Sequence, residues 1–438
     1  MKSTIKTLFI ATSLSLGVVS CERYLDIVPT GKVVPQTEED FRALLTRAYQ
    51  IYPQHKALLN LKSDEVKAAN SSEYLKAIFT WGEANATPGS TEVPYASLYE
   101  TIFYTNYIIE NAYKYIGKNE NTNQILGEAY ALRAYVYFEL IGIYAPAYNG
   151  SNGSTLAVPL VTEVNLEGSF PKATLDAVYN QIFSDIATAE QLLNQDKFSA
   201  GLNYRFTTTA LHAFKARVYQ YRKDWANALK EANQALALNS NLEDFNNFSV
   251  LPSSYTSTES IMNLDLPVVP STYSFSRASD EHIALFDKTN DLRFSKYFKQ
   301  NGSNWQTLKY NAGSSAYKCT FRVAEVLLIK AEAQAMLGKV SESKATLTSL
   351  AEKRYNAVGL ANFKNKINGL SDTDYYTELL NERARELSFE GLRWQDLRRT
   401  NQPEITHIFG GETFKLEQGD ARYTVPFPKE ARLKNPEL

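Results

Sequence analysis

The stretch that most constrains this chain is residues 381–400, NERARELSFEGLRWQDLRRT, which reads as one helix. Leu380, Ala384, Leu387, Gly391 and Trp394 recur at spacings of four, three, four and three, the pattern of a single helical face. The other faces carry Glu382, Arg383, Arg385, Glu386, Glu390, Arg393, Asp396, Arg398 and Arg399. Opposite charges three residues apart (Glu382 with Arg385, Arg393 with Asp396, Asp396 with Arg399) are expected to pair along the helix surface. Gly391 inside such a helix should cost about 1 kcal/mol relative to Ala, offset by close approach of another backbone. Glu386 and Glu390 also invite an acid–base reading. Structural ion-pair networks perturb carboxylates too, and no His accompanies these two, so the expectation is a lattice that docks a C-terminal helix.

The amino terminus speaks to location. Lys2 and Lys6 precede an apolar run at residues 8–19. That run is shorter than the roughly 20 residues a membrane-spanning helix needs, and it predicts a secretory signal. It ends in Val18-Val19-Ser20-Cys21, and a small residue directly before Cys is the pattern of bacterial lipoproteins. Cys21 is therefore the predicted lipidation site, anchored by acyl chains that contribute about 0.8 kcal/mol per buried CH₂. The only other cysteine, Cys319, is then single, so no disulfide is expected, and it reads as a small buried apolar residue. Removing residues 1–20 takes Lys2 and Lys6 from the 46 basic residues, leaving 44 against 48 acidic and a net charge of −4. No basic stripe points to nucleic acid.

Between the termini the pattern is helical with interruptions. Residues 38–52 predict a first helix with Thr37 as N-cap. Residues 59–94 show no sustained period and predict a long irregular excursion. Helices follow at 94–115, 123–144 and 175–193, the second of them apolar nearly all round and therefore buried. Residues 207–238 predict a helical hairpin broken at Lys223-Asp224. In it Ala216, Tyr219, Ala228 and Ala235 fall where a tetratricopeptide repeat places its small and aromatic packing residues. A second pair at 322–337 and 341–354 repeats the theme with Ala331, Ala333 and Ala345, and 123–144 is expected to pair with 175–193. From 239 to 320 the helical period fails, and short strands or loops are expected. The expected fold is mostly α: eight or nine helices, with tetratricopeptide-like pairs forming a scaffold that carries a long irregular, loop-rich ligand-binding region.

Several segments resemble one family. E-R-x-R-E-L-x-F-E-G-x-R-W-x-D-L-x-R over residues 382–399 looks like the C-terminal signature of the SusD/RagB family, the outer-membrane nutrient-binding lipoproteins of Bacteroidetes. The start C-x-x-Y-L-D-x-x-P-x-G from Cys21, the N-D-x-R at 290–293, the R-x-A-E-x-x-L-x-x-A-E-A at 322–333 and the closing V-P-F-P…N-P to Pro436 resemble the same family. The resemblance implies a lipoprotein signal at 1–20, a lipidated tether at 21–36 and a SusD-like domain at 37–438. Within that domain it implies an N-terminal helical part to 240, a loop-rich insertion at 241–320 and a C-terminal helical part from 321. It further implies a surface-exposed lipoprotein, lipid-anchored in the outer membrane, that captures a glycan and delivers it to a SusC-like TonB-dependent transporter. Peptide capture, as in RagB-like members, is the alternative.

Catalytic signatures are missing. His55, His212, His282 and His407 show no metal spacing, and no phosphate-binding glycine loop or Gly-x-Ser-x-Gly elbow occurs. No catalysis, metal or cofactor is expected. Among the four Trp, Trp225 and Trp394 are expected to pack, while Trp81 and Trp305 stand in polar irregular segments. An aromatic face stacks on a sugar ring, and amide, carboxylate or guanidinium groups bind its hydroxyls. The candidate ligand-binding residues are accordingly Trp81, Trp305, Asp64, Asn85 and Tyr273.

Overall fold

Helix starts are set by local chemistry that the sequence announces. Thr37 caps the Glu38–Ile51 helix through a reciprocal capping box with Asp40. Thr207 and Asp224 accept the amides of Ala210 and Asn227 and so start both helices of the hairpin, Thr208–Tyr221 and Trp225–Leu238. Lys223, at a positive φ of 58°, makes the sharp turn between them. The computed structural model describes residues 35–438 except 166, 167, 169 and 315. The predicted signal, Cys21 and the tether as far as residue 34 lie outside the described residues.

Among the described residues, ten helices have twelve or more residues. The Glu120–Tyr144 helix is buried along nearly its whole length and packs on the Leu175–Leu192 helix, as its all-round apolar sequence requires. Gly127 permits that contact: a Cβ there would lie 2.9 Å from the Leu193 backbone nitrogen. The hairpin helices pair with each other, and Val323–Met336 pairs with Val340–Ala351. Ala216, Ala228, Ala235, Ala331 and Ala333 are fully buried between these helices. Ala345 is exposed instead, and Ser343 and Leu347 face inward on that helix. The helix Ala357–Gly369 was not foreseen. Its Gly, Asn and Lys content gives a weak period, and it is held by the Asn356 N-cap and by Phe363 and Ile367 packed beneath it.

The irregular segments are stitched together rather than free. Val66–Ala68, from the 59–94 excursion, pairs antiparallel with Ser276–Ala278. That strand pairs with Asn304–Thr307, which in turn pairs with Phe298–Asn301 to complete a four-stranded sheet. A second hairpin, Ile405–Phe409 with Glu412–Leu416, follows the last motif helix.

The 381–400 stretch departs from expectation twice. It is not one helix: Asp372–Glu386 ends, Phe389 and Gly391 adopt φ of 56° and 73°, and a new helix runs Arg393–Arg399. Gly391 is thus a turn residue, and its neighbour is the Lys56 side chain, whose Cβ would lie 2.7 Å from an added Cβ. The charges are also not on a surface. Glu382, Arg383, Arg385, Glu386, Glu390, Asp396, Arg398 and Arg399 are all buried.

Some of their partners, Arg293 and Arg322, come from the other motifs, and the rest come from outside them or from within the stretch. Glu386 takes Arg293 at 2.9 Å, Arg322 at 2.7 Å and Arg354 at 2.9 Å. Arg293 also holds Asp291 and Glu382, Arg322 holds Glu259 and Glu390, and Lys309 reaches Glu390 at 2.6 Å. Within the stretch, Glu382–Arg385 and Asp396–Arg399 pair as expected. Arg393 does not bond Asp396; it crosses to Asp64, and Asp396 takes Arg383. Burial favours the neutral carboxyl of Glu386, yet the guanidiniums of Arg354, Arg322 and Arg293 outweigh it and hold the group well below the usual carboxylate range.

Candidate functional site

Glu386, shared by three guanidiniums, and Glu390, held by Arg322 and the Lys309 ammonium, are both closed to solvent and have neither proton nor lone pair to offer a substrate, so they belong to the scaffold. The same holds for the group of metal-ligating type found among the described residues. Glu190, His212 and Glu231 place ligand atoms within 4.8 Å of one another. The Lys215 ammonium already bridges both carboxylates, at 2.8 and 3.0 Å.

The five sequence candidates are not brought together. Trp81 is 2% exposed and its ring stacks on His407 at 4.4 Å, with Phe79 on the other face of the imidazole. Its indole N–H donates to the Lys62 carbonyl. Trp81 therefore offers no face to a sugar; the polar residues around it in sequence conceal a core position closed by the distant 405–416 hairpin. Asp64 grips Arg393 through both oxygens at 2.7 Å and ties the excursion to the last motif helix. Burial pushes the Asp64 carboxyl up, and Arg393 more than reverses this, so the group stays ionised. Asn85 is exposed on a short turn, Glu83–Asn85.

Trp305 and Tyr273 are half-buried at the sheet. Trp305 lies edge-on to Phe294 at 4.7 Å, with the Lys288 ammonium 5.4 Å from its ring. Tyr273 packs tilted against Tyr310, with ring centroids 4.2 Å apart. Neighbouring strand residues point to opposite faces. The Gln306 amide, on the face opposite Trp305, donates to the Tyr273 backbone carbonyl.

The segment that carries Tyr310 continues into the wall of a groove of about 420 Å³, within the usual size of ligand sites. The Glu38–Ile51 helix gives it Thr46 and Gln50, the turn before the hairpin gives Asn203 and Tyr204, and Tyr255 and Lys318 close it. Its frame is fixed by hydrogen bonds. The Asn203 amide donates to the Tyr255 carbonyl at 2.8 Å and to Asn263 Oδ1 at 3.1 Å, and the Tyr255 N–H donates to the Ala316 carbonyl at 3.0 Å. Tyr204 is braced edge-on by Tyr49 at 5.3 Å, whose hydroxyl reaches Glu128. Among the described lining residues only Lys318 is charged and none is acidic. Such a site presents aromatic faces, amides and hydroxyls, a chemistry that holds a polyhydroxylated ligand and supplies no nucleophile–base pair. Sequence reasoning missed Tyr204 and Tyr255. They are two of 28 Tyr, in segments without motif or period, and only their convergence marks them.

Two family models match the chain. One, described as starch-binding and associating with the outer membrane, matches residues 23–220. The SusD/RagB model matches residues 307–431, the part that contains the Arg322 and Glu386 motifs. The chain belongs to the SusD/RagB family. Among its SusD/RagB relatives, SusD-like protein P38 of Formosa agariphila is 26% identical over 477 residues, covering 89% of this chain and 90% of that protein. A SusD superfamily protein of Bacteroides thetaiotaomicron has the same fold, with a TM-score of 0.75 at 18% identity over 92% of this chain and 98% of the other. A laminarin-binding SusD-like protein matches with a TM-score of 0.66 at 18% identity, covering 92% and 98%. No helix among the described residues is long and apolar enough to cross a membrane.

Proposed function

We propose that this SusD/RagB protein is a cell-surface lipoprotein, anchored in the outer membrane through Cys21, that captures an oligo- or polysaccharide without catalysis. It then delivers the glycan to a SusC-like TonB-dependent transporter. The observation that carries the reading is the groove, in which Tyr204 and Tyr255 present half-exposed rings beside Gln50, Asn203 and a single charge, Lys318. Family membership supports it, and one solved relative of the same fold is a laminarin-binding protein. Tyr273 with Tyr310, Trp305 and Asn85 are proposed as secondary contacts; Trp81 and Asp64 are proposed to support the site from within the scaffold.

The test is calorimetric titration of the lipid-free protein, starting after Cys21, with laminarin, starch and mixed oligopeptides. Tyr204→Ala and Tyr255→Ala should each weaken glycan binding at least tenfold, since one lost aromatic stack of about 1.4 kcal/mol is a factor of ten. Trp305→Ala and Tyr273→Ala should have smaller effects. Glycan binding unchanged in both groove variants would refute the site. A peptide signal with silence across the glycans would transfer the function to peptide capture.

A further inference from the structure

A second cavity of about 290 Å³ abuts the groove and shares two of its residues, Asn203 and Tyr255. Resting on the glycan reading of the groove, we propose that the two cavities are consecutive subsites for one glycan chain that crosses Tyr255. The preferred ligand is then an oligosaccharide long enough to fill both, and a mono- or disaccharide occupies only one.

The geometry argues for Tyr255 as the platform between them. Its backbone is pinned on both sides, the N–H by the Ala316 carbonyl and the carbonyl by the Asn203 amide. The loop beyond it is tied to one buried carboxylate: Ser257 Oγ, the Thr258 N–H and Thr258 Oγ1 all donate to Glu243 Oε1, at 2.8, 2.8 and 3.1 Å. A residue so fixed presents its ring without further loss of backbone freedom on binding. The ring is half-exposed, and among the described residues its hydroxyl has no hydrogen-bond partner. The second cavity offers Asn241, Thr256 and Thr258 as hydroxyl-binding groups, adds the charged Asp196 and Lys197, which can also bind sugar hydroxyls, and presents Leu238, 45% exposed, as an apolar patch for the C–H face of a sugar. Asn203 braces the partition, donating to Ser260 Oγ and Asn263 Oδ1 as well as to Tyr255.

The experiment is a ladder of oligosaccharides of increasing length prepared from laminarin and from starch, titrated into the full lipid-free chain. Ala200→Trp is run beside the wild type. Ala200 is exposed and lines only the second cavity, so the substitution fills that space without removing a contact. Wild-type affinity should rise about tenfold once a chain is long enough to add the second cavity's contacts. In Ala200→Trp that rise should vanish while affinity for the shortest binding member stays the same. A ladder that binds with no dependence on length, or one left unaltered by Ala200→Trp, overturns the two-subsite inference and leaves the groove reading standing. Silence of the wild type towards every member of both ladders overturns the glycan reading together with it.

Discussion

Replacing Glu386 by Gln keeps the shape of the side chain and removes the charge that three guanidiniums share. Arg293 retains Asp291 and Glu382, Arg322 retains Glu259 and Glu390, and Arg354 retains Glu259. The variant therefore leaves about one uncompensated positive charge in a region closed to water. Breaking a buried pair by removing one partner costs about 3–5 kcal/mol. A loss of about 4 kcal/mol is expected, a large share of the roughly 5–15 kcal/mol that stabilises a typical protein. With an unfolding entropy of about 2.1 cal/mol/K per residue, roughly 400 residues give about 0.85 kcal/mol/K, so Tm should fall by about 5 °C. The assay is denaturant unfolding followed by far-UV circular dichroism, with a thermal scan beside it. Lys434→Ala serves as a control, because its partner pair with Glu430 is exposed and should contribute at most about 0.5 kcal/mol. The pH dependence has a definite sign. A carboxylate depressed in the folded state stabilises above its unfolded pKa of about 4.5, and that contribution disappears as pH falls towards the lower folded value. Glu386→Gln should therefore flatten the acid limb of the stability profile. A variant within 1 kcal/mol of wild type at neutral pH, with an unchanged acid limb, would refute the claim that this carboxylate anchors the motifs.

Two further outcomes follow from the same region. Burial pushes the Glu65 carboxyl up to about 8; the Phe389 N–H lowers it, and one of its oxygens has no hydrogen-bond partner among the described residues. A carboxyl raised in the folded state stabilises fully below the unfolded value near 4.5 and loses that contribution as pH rises through about 8. Glu65→Gln, which mimics the neutral acid, should lose less stability than wild type between pH 5 and pH 8; parallel profiles in denaturant titrations would contradict this. Gly391→Ala should cost at least about 2 kcal/mol in the same assay, because a left-handed φ disfavours Ala by about 1–2 kcal/mol. The new Cβ would also press on Lys56, which is fixed by Asp265 and the Tyr135 hydroxyl and has little room to move. A loss under about 0.5 kcal/mol, the size of an ordinary surface substitution, would show that the turn relaxes.

Repeat pairing was legible because it is local. The hairpin break at Lys223-Asp224, the N-caps at Thr37 and Thr207 and the all-apolar 120–144 helix depend on residues within a few turns of one another. The Ala357–Gly369 helix was not legible, since its stability comes from Phe363 and Ile367 packing on distant helices and not from its own period. The candidate site was read least well. Trp81 stands in a polar segment, yet the 405–416 hairpin, more than 300 residues away, covers it through His407. Tyr204 and Tyr255 carry no local signal, because a groove assembled from five separate segments has no spacing in the chain.

The sequence by itself determined the helical scaffold, the family and two local ion pairs, Glu382–Arg385 and Asp396–Arg399, since helical period, caps and long motifs are properties of neighbouring residues. It could not say that those charges lie inside. Charge density on a helix reads as solvent exposure until partners are known, and the partners of Glu386 sit 32, 64 and 93 residues away. Tertiary structure alone decided that the motif is a buried hub, that Gly391 turns the chain and does not continue a helix, and that Tyr204 and Tyr255 line one groove. Each of these depends on which distant segments exclude water from a given side chain, and that is a property of the packed chain and not of any stretch within it.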